Sequence, residues 1–119
     1  MILIIYYAHS MEMYNTEREE QDLQRLEEYF PKGLVFNPNR PSVQQSENPM
    51  KACFQAVKDS HILAFSHEAR KIPLGVYAEM QLARKLHKPI YIINSAEIHR
   101  YAGHTILTKR RKASDWAQV

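Results

Sequence analysis

Glycine and cysteine are scarce in this chain: three glycines and one cysteine in 119 residues. Three glycines are too few for both a Walker loop and a full G-x-G-x-x-G fingerprint, which need several Cβ-free positions beside a phosphate. A single cysteine, Cys53, excludes an internal disulfide and a thiolate-based zinc cluster. Long apolar runs are missing too. The longest, Met1 to Ala8, falls far short of the ~20 residues that cross a bilayer. It has no basic residues in front of it, so it does not read as a secretory signal. The expectation is a soluble protein of a reducing, cytoplasmic setting with no membrane partner. The six histidines show neither H-x-x-x-H nor H-E-x-x-H spacing, so neither a metal nor a cofactor is expected.

What is present suits a folded domain. Hydrophobic residues are 45% and charged residues 24%, which excludes disorder as the main reading, and the length fits one domain over residues 1–119. The net charge of +3 conceals a polarised layout. Seven of the thirteen acids lie between Glu12 and Glu28, while Ile98 to Ser114 has no acid and carries Arg100, Lys109, Arg110, Arg111 and Lys112. Such a run is first a solvated face and second a means of attracting phosphate.

Met1 to Ala8 reads as a strand buried on both faces. After a turn over His9 to Asn15, Thr16 and Glu19 have capping-box spacing and open a helix to about Phe30. Leu23, Leu26 and Phe30 form its inner stripe, with the acids on the other face. Pro31-Lys32-Gly33 stops it. Leu34 to Phe36 is a brief strand, Asn37 to Pro41 a rigid irregular loop, and Ser42 to Asn48 a polar segment. Asn48-Pro49 opens a second helix with Met50, Cys53 (or Phe54) and Val57 facing inward. His61 to Ser66 is a strand and His67 to Ile72 a polar loop. Pro73 or Leu74 opens a helix to about His87, with Val76, Met80, Ala83 and Leu86 inward. Pro89 to Asn94 is the next strand. Thr105 to Thr108 reads either as a fifth strand or as part of an arm. Strands and helices thus alternate with short links. The expected fold is α/β: a three-layer, flavodoxin/Rossmann-like parallel sheet of 4–5 strands with helices on both faces.

In such a sheet ligands bind beyond the carboxyl ends of the strands. Three loops qualify: Ala8 to Asn15, Asn37 to Asn48, and Ser66 to Gly75. The third brings Ser66, His67, Glu68, Arg70 and Lys71, then Gly75 at a helix start where backbone can approach a ligand. Glu79 follows on that helix, as either a dipole-favoured glutamate or a carboxylate nucleophile. His9 and Arg40 lie in the other two loops as candidate ligand contacts. Asp59 precedes a strand and therefore lies at the opposite end of the sheet. His67-Glu68 offers a loop acid, and Trp116 a stacking or docking residue.

Ile5-Tyr6-Tyr7-Ala8-His9-Ser10, read together with Leu74-Gly75-x-x-x-Glu79, Ala83 and Lys88-Pro89, resembles the nucleoside 2-deoxyribosyltransferase-like superfamily. That superfamily includes the 2′-deoxynucleoside 5′-phosphate N-hydrolases. The resemblance covers about residues 1–94 and leaves 95–119 as an unmatched basic tail. It implies that Glu79 attacks C1′ of the sugar and forms a glycosyl ester, and that Tyr6 orients the carboxylate. It places Ser10 and Gly75 against the sugar or a 5′-phosphate. It also implies a nucleoside or nucleotide as ligand, and a homo-oligomer in which a neighbour can complete the site. Three positions depart from the family pattern. Cys53 stands where an aspartate usually serves the nucleobase, Glu12 stands where the phosphohydrolases carry an arginine, and Tyr77 replaces a small residue.

The leading expectation is therefore an enzyme that cleaves or transfers at an N-glycosidic bond. Glu79 and Tyr6 would be catalytic; Ser10, Gly75, His9, Ser66 and Arg40 would bind substrate. The departures at Cys53 and Glu12 motivate a non-catalytic nucleotide-binding module as the alternative. The tail motivates a nucleic-acid or partner-binding accessory protein, which ranks last because only Tyr101 and Trp116 interleave with its basic residues.

Overall fold

A computed structural model describes residues 2–67, 71–95, 97–101 and the backbone of 117–118. The larger elements are β1 (Leu3–Ala8), α1 (Glu17–Tyr29), β2 (Gly33–Phe36), α3 (Pro49–Asp59), β3 (Ile62–Ser66), α4 (Leu74–Lys85), β5 (Ile90–Ile93) and β6 (Ile98–Arg100). Shorter pieces are α2 (Pro41–Gln44), β4 (Lys71–Ile72) and β7 (Ala117–Gln118). Five strands form one sheet in the order β2-β1-β3-β5-β6. The first four run parallel, and β6 returns antiparallel to β5. The fold is thus mixed α/β with a mostly parallel sheet. Among the described residues no helix is long and apolar enough to cross a membrane.

Strand side chains alternate between two apolar clusters, as the two-residue period of a strand requires. Tyr6, Ala8, Leu63, Phe65, Ile90 and Ile92 join Val57 of α3 and Val76, Met80 and Ala83 of α4. Ile5, Tyr7, Ile62, Ala64 and Ile93 join Leu26 of α1. This parity decides which strand residues can share a site. Gly33, which opens β2, sits at a close approach: a Cβ there would lie 2.5 Å from Ile5 Cδ1 and 3.2 Å from Phe30 Cβ, so a larger residue would have to displace the Ile5 methyl.

Helix starts follow local chemistry. Thr16 Oγ1 accepts the Glu19 N–H at 3.3 Å, and the Glu19 carboxylate reaches back to the Asn15 amide at 3.0 Å rather than to the Thr16 amide. Asn15 sits at φ 63, where asparagine is tolerated. Asn48 Oδ1 accepts the Lys51 N–H at 3.1 Å, with Pro49 at the first helical position. The start of α4, at Pro73, has no side-chain cap.

Several expectations are corrected. The segment after Arg40 is not wholly irregular: Pro41 starts a short helix and Val43 buries its side chain. The fifth strand is Ile98–Arg100, and Thr105 to Thr108 lies outside the described residues. The acids of α1 are not all outward, because Glu19 and Asp22 are buried. Met50 is 62% and Leu86 40% exposed instead of facing the core. The α4 helix stops at Lys85, and His87 leaves it at φ 58.

Candidate active site

The loops leaving β1, β2 and β3 surround a cleft of about 520 Å³. One wall is the turn His9 to Tyr14, and a second is Pro49, Met50, Cys53 and Phe54 of α3. Pro73, Gly75, Val76 and Glu79 of α4 form the third, with Pro38 and Gln44 at the edge.

Glu79 is the buried charge of this cleft, 9% exposed. Tyr6, wholly buried on β1, donates its hydroxyl to Glu79 Oε2 at 2.7 Å. The contact follows from parity: Tyr6 faces the α4 side with Leu63 and Phe65, and its ring stacks on Phe36 at 5.8 Å. Burial pushes the Glu79 carboxyl up to about 7, against hydrogen bonding from Tyr6 and Cys53 that pulls it down. No ion pair to Glu79 exists among the described residues. Burial and then the Glu79 charge hold the Tyr6 phenol far above its ordinary value, so it remains a donor. Burial likewise raises the Cys53 thiol, which stays protonated near neutrality although hydrogen bonding with Tyr6 lowers it.

Gly75 occupies the first turn of α4, and a Cβ added there would meet nothing within 4 Å. Neither packing nor a left-handed φ demands glycine at this position; the space belongs to the cleft. Ser10 lines the cleft while its Oγ accepts the Glu12 N–H at 3.1 Å, capping a 3-10 turn over Met11–Met13. His9 also lines it, yet its ring is engaged from behind. Its Nε2 lies 2.7 Å from Glu19 Oε2, its Nδ1 3.2 Å from the Tyr7 carbonyl oxygen, and its ring stacks on Tyr7 at 3.8 Å. Burial lowers its pKa despite the Glu19 hydrogen bond. Asn39 Nδ2 donates to both Glu19 oxygens at 3.0 Å, tying the loop after β2 to the same network.

Two of the named residues are not brought to Glu79. Ser66 shares the parity of Ile62 and Ala64 on β3, the opposite side of the sheet from Tyr6; its buried hydroxyl has no hydrogen-bond partner among the described residues. Arg40 places its guanidinium 4.1 Å over the Phe36 ring and donates Nε–H to the Asn37 carbonyl oxygen at 2.9 Å. It lines a separate cleft of about 410 Å³ beside Gln55 and Asp59. Glu68, Arg70, Trp116 and the basic run Lys109 to Lys112 lie outside the described residues.

Tyr14 and Gln44 were not singled out by sequence. Tyr14 lines the cleft, and burial followed by the Cys53 and Glu79 charges pushes its phenol up to about 12. Gln44 Nε2 donates to the Pro38 carbonyl oxygen at 2.9 Å and approaches Tyr14 Oη at 3.5 Å. The one aromatic ring between His9 and Asn15 in the turn after β1 was the available signal for Tyr14. The described lining carries two carboxylates, Glu12 and Glu79, and no Lys or Arg. Among the described residues no three His, Cys, Asp or Glu side chains converge for a metal ion.

Comparisons with protein-family models and with curated proteins find no match to this chain.

Proposed function

We propose that this protein cleaves or transfers at an N-glycosidic bond, with Glu79 as nucleophile and Tyr6 as the residue that orients it. The single observation that carries the reading is the 2.7 Å hydrogen bond from Tyr6 to a buried carboxylate at the floor of an open cleft. Tyr6 holds Oε2 of the carboxylate, which turns Glu79 toward an electrophilic carbon in the cleft. The resemblance to the nucleoside 2-deoxyribosyltransferase-like superfamily supplies the electrophile, C1′ of a nucleoside. In that reading the sheet with its two apolar clusters is a three-layer, Rossmann-like arrangement, and a second copy of the chain completes the cleft wall.

The chemistry is a double displacement. The carboxylate supports an oxocarbenium-like transition state, captures it as a glycosyl ester, and releases it to water or to a second base. Gly75 and the uncapped first turn of α4 give the sugar close access to backbone N–H groups. The test is detection of free base after incubation with a panel of nucleosides and nucleotides, comparing wild type with Glu79→Gln. Base release from wild type that is lost in the variant, with folding intact, supports the assignment. Release at an unchanged rate in the variant rejects it.

Cys53 beside Glu79, a raised thiol instead of a carboxyl acid, favours a second reading as a nucleotide-binding module without turnover. Thermal stabilisation by nucleosides with no base released under any condition would select it.

A further inference from the structure

A neutral nucleobase leaves a sugar well only when an acid protonates it, a contribution of about 10²–10⁴-fold. The described lining of the Glu79 cleft is poor in such acids. The ring nitrogens of His9 face the Tyr7 carbonyl and the Glu19 carboxylate, behind the cleft. The Tyr14 phenol and the Cys53 thiol both hold their protons well above neutrality, Tyr14 at about 12. The described lining is instead suited to positive charge. Glu12 stands at its mouth and Glu79 at its floor, with no Lys or Arg in the described lining and no ion pair to Glu79 among the described residues. Between them lie two aromatic rings, Tyr14 and Phe54, and the thioethers of Met11 and Met50, which are 69% and 62% exposed. Aromatic faces attract cations, and methionine adapts to flat ligands.

Resting on the reading of Glu79 as nucleophile, we infer that the preferred substrates are N-glycosides whose base is already cationic: quaternary pyridinium or N7-alkylated purine nucleosides. The substrate's own charge then takes the place of the acid that the described lining lacks. In the first step a Glu79 oxygen forms a bond to C1′ and the C1′–N bond breaks. Its electron pair goes to the cationic nitrogen, so the base departs neutral with no proton transferred. In the second step water attacks C1′ of the ester, the carboxylate leaves, and one proton passes to solvent. Charge balances: cation plus water gives sugar, neutral base and a proton. An entering cation also favours the ionised form of a carboxyl that burial raises, so substrate binding activates the nucleophile.

The experiment uses the full chain with 7-methylguanosine and nicotinamide riboside as cationic probes and guanosine and uridine as neutral ones. Free base is measured by chromatography, with Glu79→Gln giving the background for each probe. The expected kcat/KM for the cationic probes exceeds that for the neutral ones by at least about 100-fold, the smallest factor an acid contributes. For nicotinamide riboside, whose pyridinium charge does not titrate, kcat rises with pH to a plateau without an alkaline fall, because no protonated acid is needed. Glu12→Gln raises KM for 7-methylguanosine about threefold, the scale of an exposed charge pair, and the effect weakens with salt. Equal kcat/KM for guanosine and 7-methylguanosine at a pH where the latter is cationic, or an alkaline fall with nicotinamide riboside, overturns the inference while leaving Glu79 as nucleophile. Base release from no probe above the Glu79→Gln background overturns the nucleophile reading and this inference with it.

Discussion

At the residue scale, Glu79 is held at the floor of the cleft by one phenol, one thiol and no ion pair among the described residues. Burial moves its pKa from the ordinary 4.5 to about 7, so the folded protein holds its proton where the unfolded chain has lost it. Stability therefore falls as pH rises from about 4.5 through about 7, by roughly 3 kcal/mol in all. Glu79→Gln removes this dependence. Its advantage in chemical denaturation should be small at pH 4, open between pH 4.5 and 7, and be complete at pH 8. An advantage independent of pH would show that the carboxyl is not desolvated. Tyr6→Phe deletes a hydrogen bond to the charged form, worth about 1.5–3 kcal/mol. It should raise the pH midpoint of base release by about one to two units and cut kcat at pH 7 about 7- to 80-fold. Recovery at alkaline pH separates this positioning role from misfolding. The Tyr6–Glu79 pairing was legible only through the family resemblance: local pattern puts a tyrosine at a strand end and a glutamate one turn into a helix but does not pair them, and the hydrogen bond appears in the structure. The separation of Ser66 and Arg40 from it was not legible. For Ser66 the parity of β3 decides, and for Arg40 the attraction of Phe36 does.

At the element scale, α1 and α3 begin with side-chain caps and α4 does not. Thr16→Ala should cost about 1 kcal/mol in urea unfolding, the usual value of a cap. The bare start of α4 faces the cleft, and Gly75 leaves its backbone approachable. Gly75→Ala should leave thermal stability unchanged or raised by up to about 1 kcal/mol, since helix propensity favours alanine. The same variant should raise KM, as the added methyl enters the ligand's space. A lowered stability with unchanged KM would assign Gly75 to folding. Helix starts were readable because threonine, asparagine and proline act through local bonds. The short helix at Pro41–Gln44 was hidden by its polar sequence, and only the burial of Val43 gives it an inner face. Strand β6 was equally hidden: three residues with one inward side chain, Ile98, carry almost no periodic signal.

At the scale of the whole molecule, the two apolar clusters meet along the sheet, and each is pinned by a buried polar group from a helix. On the α4 side that group is Glu79. On the α1 side it is Asp22, wholly buried, which accepts the Tyr7 hydroxyl at 2.7 Å and Arg18 Nε–H at 2.9 Å. Arg18 also donates to the carbonyls of His67 and Ile93, binding α1 to the ends of β3 and β5. Asp22→Ala leaves the Tyr7 hydroxyl and the Arg18 Nε–H without their carboxylate and should destabilise the protein by about 3 kcal/mol, read from urea unfolding. The alternation of strands and helices made the parallel sheet legible, but the acidic stretch from Glu12 to Glu28 gave no sign that Asp22 and Glu19 turn inward. Their inward turn depends on partners distant in sequence, Tyr7 for one and Asn39 for the other. The central claim, that Glu79 is a nucleophile, is tested most directly by trapping its product. The protein is incubated with a 2′-fluoro N-glycoside, which slows hydrolysis of a glycosyl ester, and is then quenched in acid and digested for mass spectrometry. The account predicts one added glycosyl mass on the peptide that contains Glu79, absent from Glu79→Gln. Free base accumulating with no adduct, and equally in the variant, would contradict it.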